Sequence, residues 1–465
     1  MKTVRKDCGS YELILEWKNG ITGQIEIDYA QDTDNVSHAV LRISSSGIEM
    51  LLRTCGGEQT LRRDTYVPRE KLIFLRRGSY ARALYDGREL WMQGGTGEWC
   101  DHYTAEKAVL TIDDTGNDLT SCLYSPLNWL PAPDAPAVSA GKDGTFYEQQ
   151  IIDGAVLEYE GTWYMYCMCG IRGEEEGSAR RVIGVAVSED LMHWTVLQKP
   201  FIDSGVLGVK GENLYPNACI RTDEGKIYLF FSAQSFPEWI GVYALDSDSP
   251  LGPFVPCGDD PVVPPIPGRP QHEFDAVRCD LPQGRYLMYL TTYTPCQDGQ
   301  RSGDRGFLYF SDDLVHWRAD KDIPPFAPET ADGWDAAHVR TRSLTRIGDT
   351  WYLWYEGTNH WTPPNNPAGG AFVNQEWWDV VGLARSTDLK NWEYYPRNPC
   401  LVPQGRSYGR YDSRWTGWPR MVIRDGKGYI FHSASGPKVH IGCRTIDIAD
   451  LINWETEGGK TERLI

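Results

Sequence analysis

The sequence predicts an all-β chain: an N-terminal β-sandwich over residues 1–135, then a five-bladed β-propeller over residues 140–465. Three observations predict it. A short phrase is repeated five times, each repeat carries a tyrosine-rich strand behind a glycine turn, and the residues ahead of the repeats show short alternating strands without the phrase.

The phrase is clearest as Ser188-Glu-Asp-Leu-Met-His-Trp194. It returns as Ser311-Asp-Asp-Leu-Val-His-Trp317 and Ser386-Thr-Asp-Leu-Lys-Asn-Trp392, more loosely as Asp447-Ile-Ala-Asp-Leu-Ile-Asn-Trp454, and in degenerate form as Asp246-Ser-Asp-Ser-Pro-Leu-Gly-Pro-Phe254. The closing aromatics lie about 60 to 75 residues apart, a period that signals a repeat architecture. Second strands are predicted at Gly161–Tyr166, Gly225–Phe230, Gly284–Tyr289, Gly348–Trp354 and Gly426–Phe431. Third strands are predicted at Val182–Val187, Gly306–Phe310 and Val380–Arg385. Short alternating segments rich in aromatic and β-branched residues are strands. Four strands per unit, stacked radially, build a propeller.

Ahead of the repeats, Tyr11–Trp17, Gly23–Asp28 and Lys107–Ile112 alternate, and Asp86-Gly87 is a turn signal. Short, regularly spaced strands of this kind read as a sandwich. The hairpin Ala83–Trp91 resembles those of concanavalin-like (laminin-G-like) sandwiches. Pro131-Ala-Pro-Asp-Ala-Pro136 reads as a linker.

A chain of 465 residues has room for two or three domains, and 41% hydrophobic with 12% aromatic residues suits a large core. Most of the 18 Trp and 25 Tyr are expected in blade packing, leaving a minority to line a sugar cleft. A net charge of −18 argues against nucleic acid, which needs a basic stripe, and against anionic membranes. A neutral oligosaccharide or polysaccharide is the simplest partner, although a local basic pocket is compatible with the charge. No signal-peptide pattern follows Met1, and no apolar run approaches the ~20 residues of a membrane span. The 12 cysteines are scattered and show no zinc spacing, so reduced thiols in a cytoplasmic protein are expected, with no cofactor. The oligomeric state is open.

Eleven residues upstream of the second-strand tyrosines Tyr164, Tyr228, Tyr286, Tyr352 and Tyr429 stand Asp153, Asn217, Asp275, Thr341 and Trp418. This slot begins the innermost strand, which lines the central funnel. Glycoside hydrolysis needs two carboxylates flanking the scissile bond, one as base or nucleophile and one as acid. A lone Asp here reads equally well as a turn acceptor. Asp153 and Asp275 in matched register read as chemistry.

On its Asp-x-x-Val strand starts, its Gly-x-x-Tyr turns and the Ser-x-Asp-Leu-x-x-Trp phrase, the span 140–460 resembles the five-bladed propeller glycosidases of families 43, 32, 62 and 117, with the family 130 phosphorylases as relatives. The resemblance implies Asp153 as general base and Asp275 as the residue that orients the acid and raises its pKa. In family 43 water attacks directly and inverts the anomeric centre; in family 32 the first carboxylate is a nucleophile and configuration is retained. The chain departs from the pattern at the acid, where family 43 carries a Glu. The nearest text is Trp334-Asp-Ala-Ala-His-Val-Arg340, so Asp335 takes that place by its offset to His338. Glu212, Glu273, Glu356 and His338 compete, family 117 being the precedent for a histidine.

Arg340 and Arg342 read as hydroxyl or carboxylate clamps, or as salt-bridge partners of Asp275 or Asp335. Asp412 and its neighbouring arginines repeat this polar pattern, and Trp418 is placed to stack on a sugar. His272 is a candidate water or calcium ligand at the propeller axis. The long fourth unit, with His360, Trp361, Trp377 and Trp378, would wall a pocket and favour exo action. The implied activity is an inverting glycosidase acting on a terminal pentofuranoside such as an arabinofuranoside. A retaining or phosphorolytic relative and a non-catalytic carbohydrate-binding propeller are the alternatives.

Overall fold

The structure, a computed structural model, describes every residue except 1, 32–36, 79, 94–107, 132, 173–178, 204–212, 236–237, 268, 270, 295–302, 331–332, 359–379, 404–410, 413–414, 437, 455–456 and 458–459. It is all-β, with a single short helix, Ile448–Ile452, among the described residues.

The first part of the chain supplies eleven of the twelve strands in two six-stranded sheets. Tyr11–Trp17 is a strand as predicted, and Gln24–Gln31 and Ala108–Asp114 are strands at the other two predicted positions. Asp86 and Gly87 both take positive φ (48° and 72°), the conformation that a two-residue hairpin between Tyr80–Tyr85 and Arg88–Gln93 demands. Leu13, Leu15 and Phe74 from one sheet and Ile25, Ile27 and Leu41 from the other are fully buried in one apolar cluster. The segment Glu462–Arg463, expected in the second domain, returns instead to pair with Leu119–Pro126 of this first part.

The rest forms five units. Units 2, 3 and 4 are four-stranded sheets beginning at Asn213, Gln271 and His338; units 1 and 5 begin at Gln150 and Trp415 and share a seven-stranded sheet. Their first strands touch in the cyclic order 1–2–3–4–5–1. Closure is made by residues ahead of unit 1: Val138 bridges Ile441 of unit 5 through bonds of 3.1 and 2.9 Å.

The repeated phrase is a turn joining third and fourth strands. Ser188 Oγ accepts the N–H groups of Asp190 and Leu191 at 3.2 and 3.0 Å. Asp190 Oδ1 accepts those of Met192 and His193 at 2.8 Å, and the Trp194 indole donates to Leu191 O at 2.9 Å. Leu191, Leu314 and Leu389 hold φ of 68°, 70° and 63°, unusual for a bulky residue. The Ser and Asp oxygens satisfy the surrounding N–H groups in all three copies, and each leucine side chain is buried. That is why the phrase repeats: each letter fills one hydrogen-bonding or packing role.

The two parts are joined by a polar seam. Arg77 pairs with Glu457 at 2.8 Å, Arg82 with Glu329 at 3.2 Å, and Arg397 with Glu12 at 3.2 Å. Tyr80 packs into the cluster that contains Trp334 and Tyr355. Cys167 and Cys169 are buried.

Candidate active site

All five first strands carry a bulge, an irregularity that re-aims side chains and is common beside active sites. In unit 1 the pairing steps from Ile152–Met168 to Ala155–Tyr166, leaving Asp153 and Gly154 out of register. The same slip frees Asn217 in unit 2, Arg342 in unit 4 and Trp418 in unit 5. In unit 3 the slip comes earlier, between Gln271 and Phe274, and frees His272 and Glu273; Asp275 stays paired with Tyr289. The tyrosine ruler thus names the freed residue in units 1, 2 and 5. In unit 4 it is off by one, because Thr341 is paired and spends its hydroxyl on Tyr289 O at 3.0 Å.

These bulges gather a buried charged cluster. His272 Nδ1 lies 3.6 Å from Glu273 and its Nε2 lies 3.6 Å from Asp304. Asp304 also accepts from Arg340 Nε at 2.8 Å and stands 3.0 Å from His338 Nδ1. Arg340 and Arg342 reach Glu356 at 3.5 and 3.8 Å, and Arg342 donates to Asn217 Oδ1 at 2.7 Å. Arg342 lies over the Trp418 ring at 4.7 Å, while the Trp418 N–H donates to Glu356. Trp418 holds φ of 52°, a strained conformation for Trp of the kind found at ligand clamps. The His272 and Trp239 rings pack at a tilt with centroids 5.2 Å apart, and Trp239 packs against Tyr215 in the same tilted way at 4.8 Å.

Burial opposes charge on His272, Glu273 and Asp304, and their partners decide the outcome. Burial works against the His272 imidazolium, but Asp304 and Glu273 hold its proton and push the pKa up to about 9. Burial pushes Glu273 up, yet Arg340, His272 and Arg342 outweigh it and bring the carboxyl down to about 2. Asp304 is likewise drawn well below the usual range by His338, Arg340 and His272 against its burial. At neutral pH, then, Glu273 is a carboxylate beside a protonated His272. Glu273 Oε2 is buried without a hydrogen-bond partner among the described residues.

Asp275 is placed differently. It is buried, Oδ1 meets Arg420 at 2.5 Å, and Oδ2 accepts the Leu344 N–H of unit 4 at 2.8 Å. Arg420 also donates to Gly154 O at 3.0 Å and to Asn217 O. One guanidinium therefore sits between the backbone beside Asp153 and the carboxylate of Asp275. The side chain of Asp153 lies outside the described residues, as do Glu212 and Trp361. A calcium ion at this axis fits poorly, since a guanidinium holds the meeting point of units 1, 2 and 3 and both His272 nitrogens face carboxylates.

Asp335 goes elsewhere. It is fully buried, accepting from the Glu329 N–H at 3.2 Å and the Tyr355 hydroxyl at 3.1 Å, beside the seam with the first part of the chain. Burial, then Glu329 and Glu89, push its carboxyl up to about 7. An acid enclosed there has no route to a glycan, so the offset to His338 misled. The ion pairs of Arg340 run to Asp304 and Glu356, and Asp412 sits 3.7 Å from Arg444 in unit 5.

Because the folded pKa of Asp335 lies above its unfolded value, its contribution to stability is fully present below pH ~4 and is lost as pH rises through 7. Relative to Asp335→Asn, the wild type should lose about 2 kcal/mol between pH ~5 and ~8 in urea unfolding. Parallel pH profiles for the two proteins would refute this.

Asp304 and Trp239 were not assigned to the site from sequence; Arg420 was read only as one of the arginines of a polar entry in the fifth unit. First and third strands of a unit run in the same direction, so third-strand starts such as Asp304 and Trp239 open at the same rim as the bulges. That was the available signal.

No protein-family model and no curated protein matches the chain. Solved structures do. One described as a glycoside hydrolase superposes with a TM-score of 0.53 at 15% identity, over 68% of this chain and 92% of that one. A glycosyl hydrolase from Bacteroides ovatus gives 0.52 at 17%, over 73% and 97%. The fold is that of glycoside hydrolases. A third structure, from work on the GH130 family of mannoside phosphorylases and its glycoside hydrolases that target β-1,2 mannosidic linkages in Candida mannan, gives 0.51 at 16%, over 69% and 94%.

Proposed function

We infer that the chain is a glycosidase, built as an N-terminal β-sandwich and a five-bladed β-propeller, that removes a terminal pentofuranoside from a neutral glycan with inversion. The observation that carries this is the cluster at the bulges: a carboxylate with an unsatisfied oxygen, Glu273, beside a protonated imidazole, His272, ringed by Trp239, Tyr215 and Trp418.

In this reading Asp153 is the general base. It takes a proton from water as the water oxygen bonds to the anomeric carbon, and the glycosidic C–O bond breaks. The leaving oxygen takes its proton from His272. Glu273 Oε2 accepts a sugar hydroxyl, Trp418 offers a ring face, and Arg340 and Arg342 keep the carboxylates ionised. Asp275 holds the axis through Arg420 and so sets the position of Asp153. Asp304 is a positioning residue that keeps the proton on His272.

The experiment is a screen of aryl glycosides with NMR of the first-formed anomer, with and without phosphate. Prompt inversion without phosphate supports the reading; phosphate-dependent turnover makes the enzyme a phosphorylase, and no turnover leaves a binding protein. The pH profile adds a second check. The alkaline limb of kcat/KM should fall near pH ~9, and Asp304→Asn should move it toward the ordinary histidine range by about 1 unit or more, since the group raising the His272 pKa is gone. An unmoved limb would remove His272 from the acid role.

A further inference from the structure

A second cleft lies along the seam between the two parts of the chain. It encloses about 570 Å³ and is lined by Asp64, Arg82, Tyr85, Arg88 and Glu89 from the first part and by Glu329 and Thr330 from the segment ahead of unit 4. That volume lies in the range of small-ligand sites.

Its polar groups are already fixed in pairs. Arg82 spans Glu89 at 3.0 Å and Glu329 at 3.2 Å, and donates to Asn398 O at 3.1 Å. Asp64 accepts from the Tyr85 hydroxyl at 2.8 Å and from Arg88 at 3.1 Å, while the Arg88 guanidinium carbon lies 4.5 Å from the centre of the Tyr66 ring. Three carboxylates face two guanidiniums, so the lining holds no surplus positive charge for phosphate, sulfate or a uronate. What it offers is an array of donors and acceptors at set positions, which matches the hydroxyls of neutral sugars.

We propose that this cleft binds a segment of a neutral oligosaccharide chain, holding a polymeric substrate at a distance from the bulge cluster. The class of ligand rests on the glycosidase reading; the cleft does not. The test is affinity gel electrophoresis of the full chain in soluble arabinan, β-mannan and xyloglucan, with polygalacturonate as the anionic control. Arg88→Ala removes an exposed guanidinium from the lining and Thr330→Trp fills the mouth from an exposed position. At least one neutral polysaccharide should retard the wild type, and each substitution should weaken that retardation about tenfold or more. Turnover of a small aryl glycoside should stay within about twofold.

Retardation unchanged in both variants assigns polymer binding to the bulge cluster and overturns the proposal. So does retardation by polygalacturonate alone, or by no polysaccharide. Aryl-glycoside turnover is scored separately, so an inactive wild type defeats the hydrolase reading while the cleft remains readable by retardation.

Discussion

Asp153→Asn should lower kcat on the best aryl pentofuranoside by about 10²- to 10⁴-fold, with KM nearly unchanged, as expected for loss of a general base acting on water. The position of Asp153 argues for this. It stands in the unit 1 bulge, and its neighbour Gly154 is pinned through its carbonyl to Arg420, which also holds Asp275. Gly154 itself admits no side chain, since a Cβ would come 2.3 Å from Tyr166 O. The backbone carrying Asp153 is therefore locked at the level where the first strands meet. Azide, a small nucleophile that needs no base, should restore turnover in the variant. Wild-type activity in Asp153→Asn would end the base assignment, and an unchanged kcat with a raised KM would make Asp153 a binding residue.

Much of this arrangement was legible in the sequence because it rests on local chemistry repeated five times. Ser188, Asp190, Leu191 and Trp194 make their bonds within seven residues, so the phrase reports the turn wherever it occurs. The second-strand tyrosines fix the register, and that register names Asp153, Asn217 and Trp418. What sequence spacing cannot carry is the placement of a bulge. A strand slipping two residues earlier in unit 3 replaces Asp275 by His272 and Glu273 as the freed pair, and no local signal marks the difference. Nor can spacing weigh long-range partners. Asp335 has the right offset to His338, but it is Glu329, Tyr355 and the seam that decide where its carboxyl lies. Asp304 was overlooked because its importance comes only from His272, His338 and Arg340, on strands that spacing within unit 3 does not connect to it.

The largest stability effect is expected at Arg420. Its guanidinium donates to Gly154 O in unit 1 and Asn217 O in unit 2 and pairs with Asp275 in unit 3, whose second oxygen takes the Leu344 N–H of unit 4. One buried ion pair thus ties together all five first strands. Arg420→Met leaves the Asp275 carboxylate buried without its cation and should cost about 3–5 kcal/mol in urea unfolding. Arg420→Met combined with Asp275→Leu should recover only part of that loss: the unpaired buried charge is gone, but Leu344 N–H, Gly154 O and Asn217 O lose these partners. A single variant within ~1 kcal/mol of wild type would show that the pair does not brace the axis. The double variant also separates two roles for Asp275. If it only holds the backbone beside Asp153, kcat falls with both pH limbs unmoved; if it acts on the acid, the alkaline limb shifts along with kcat.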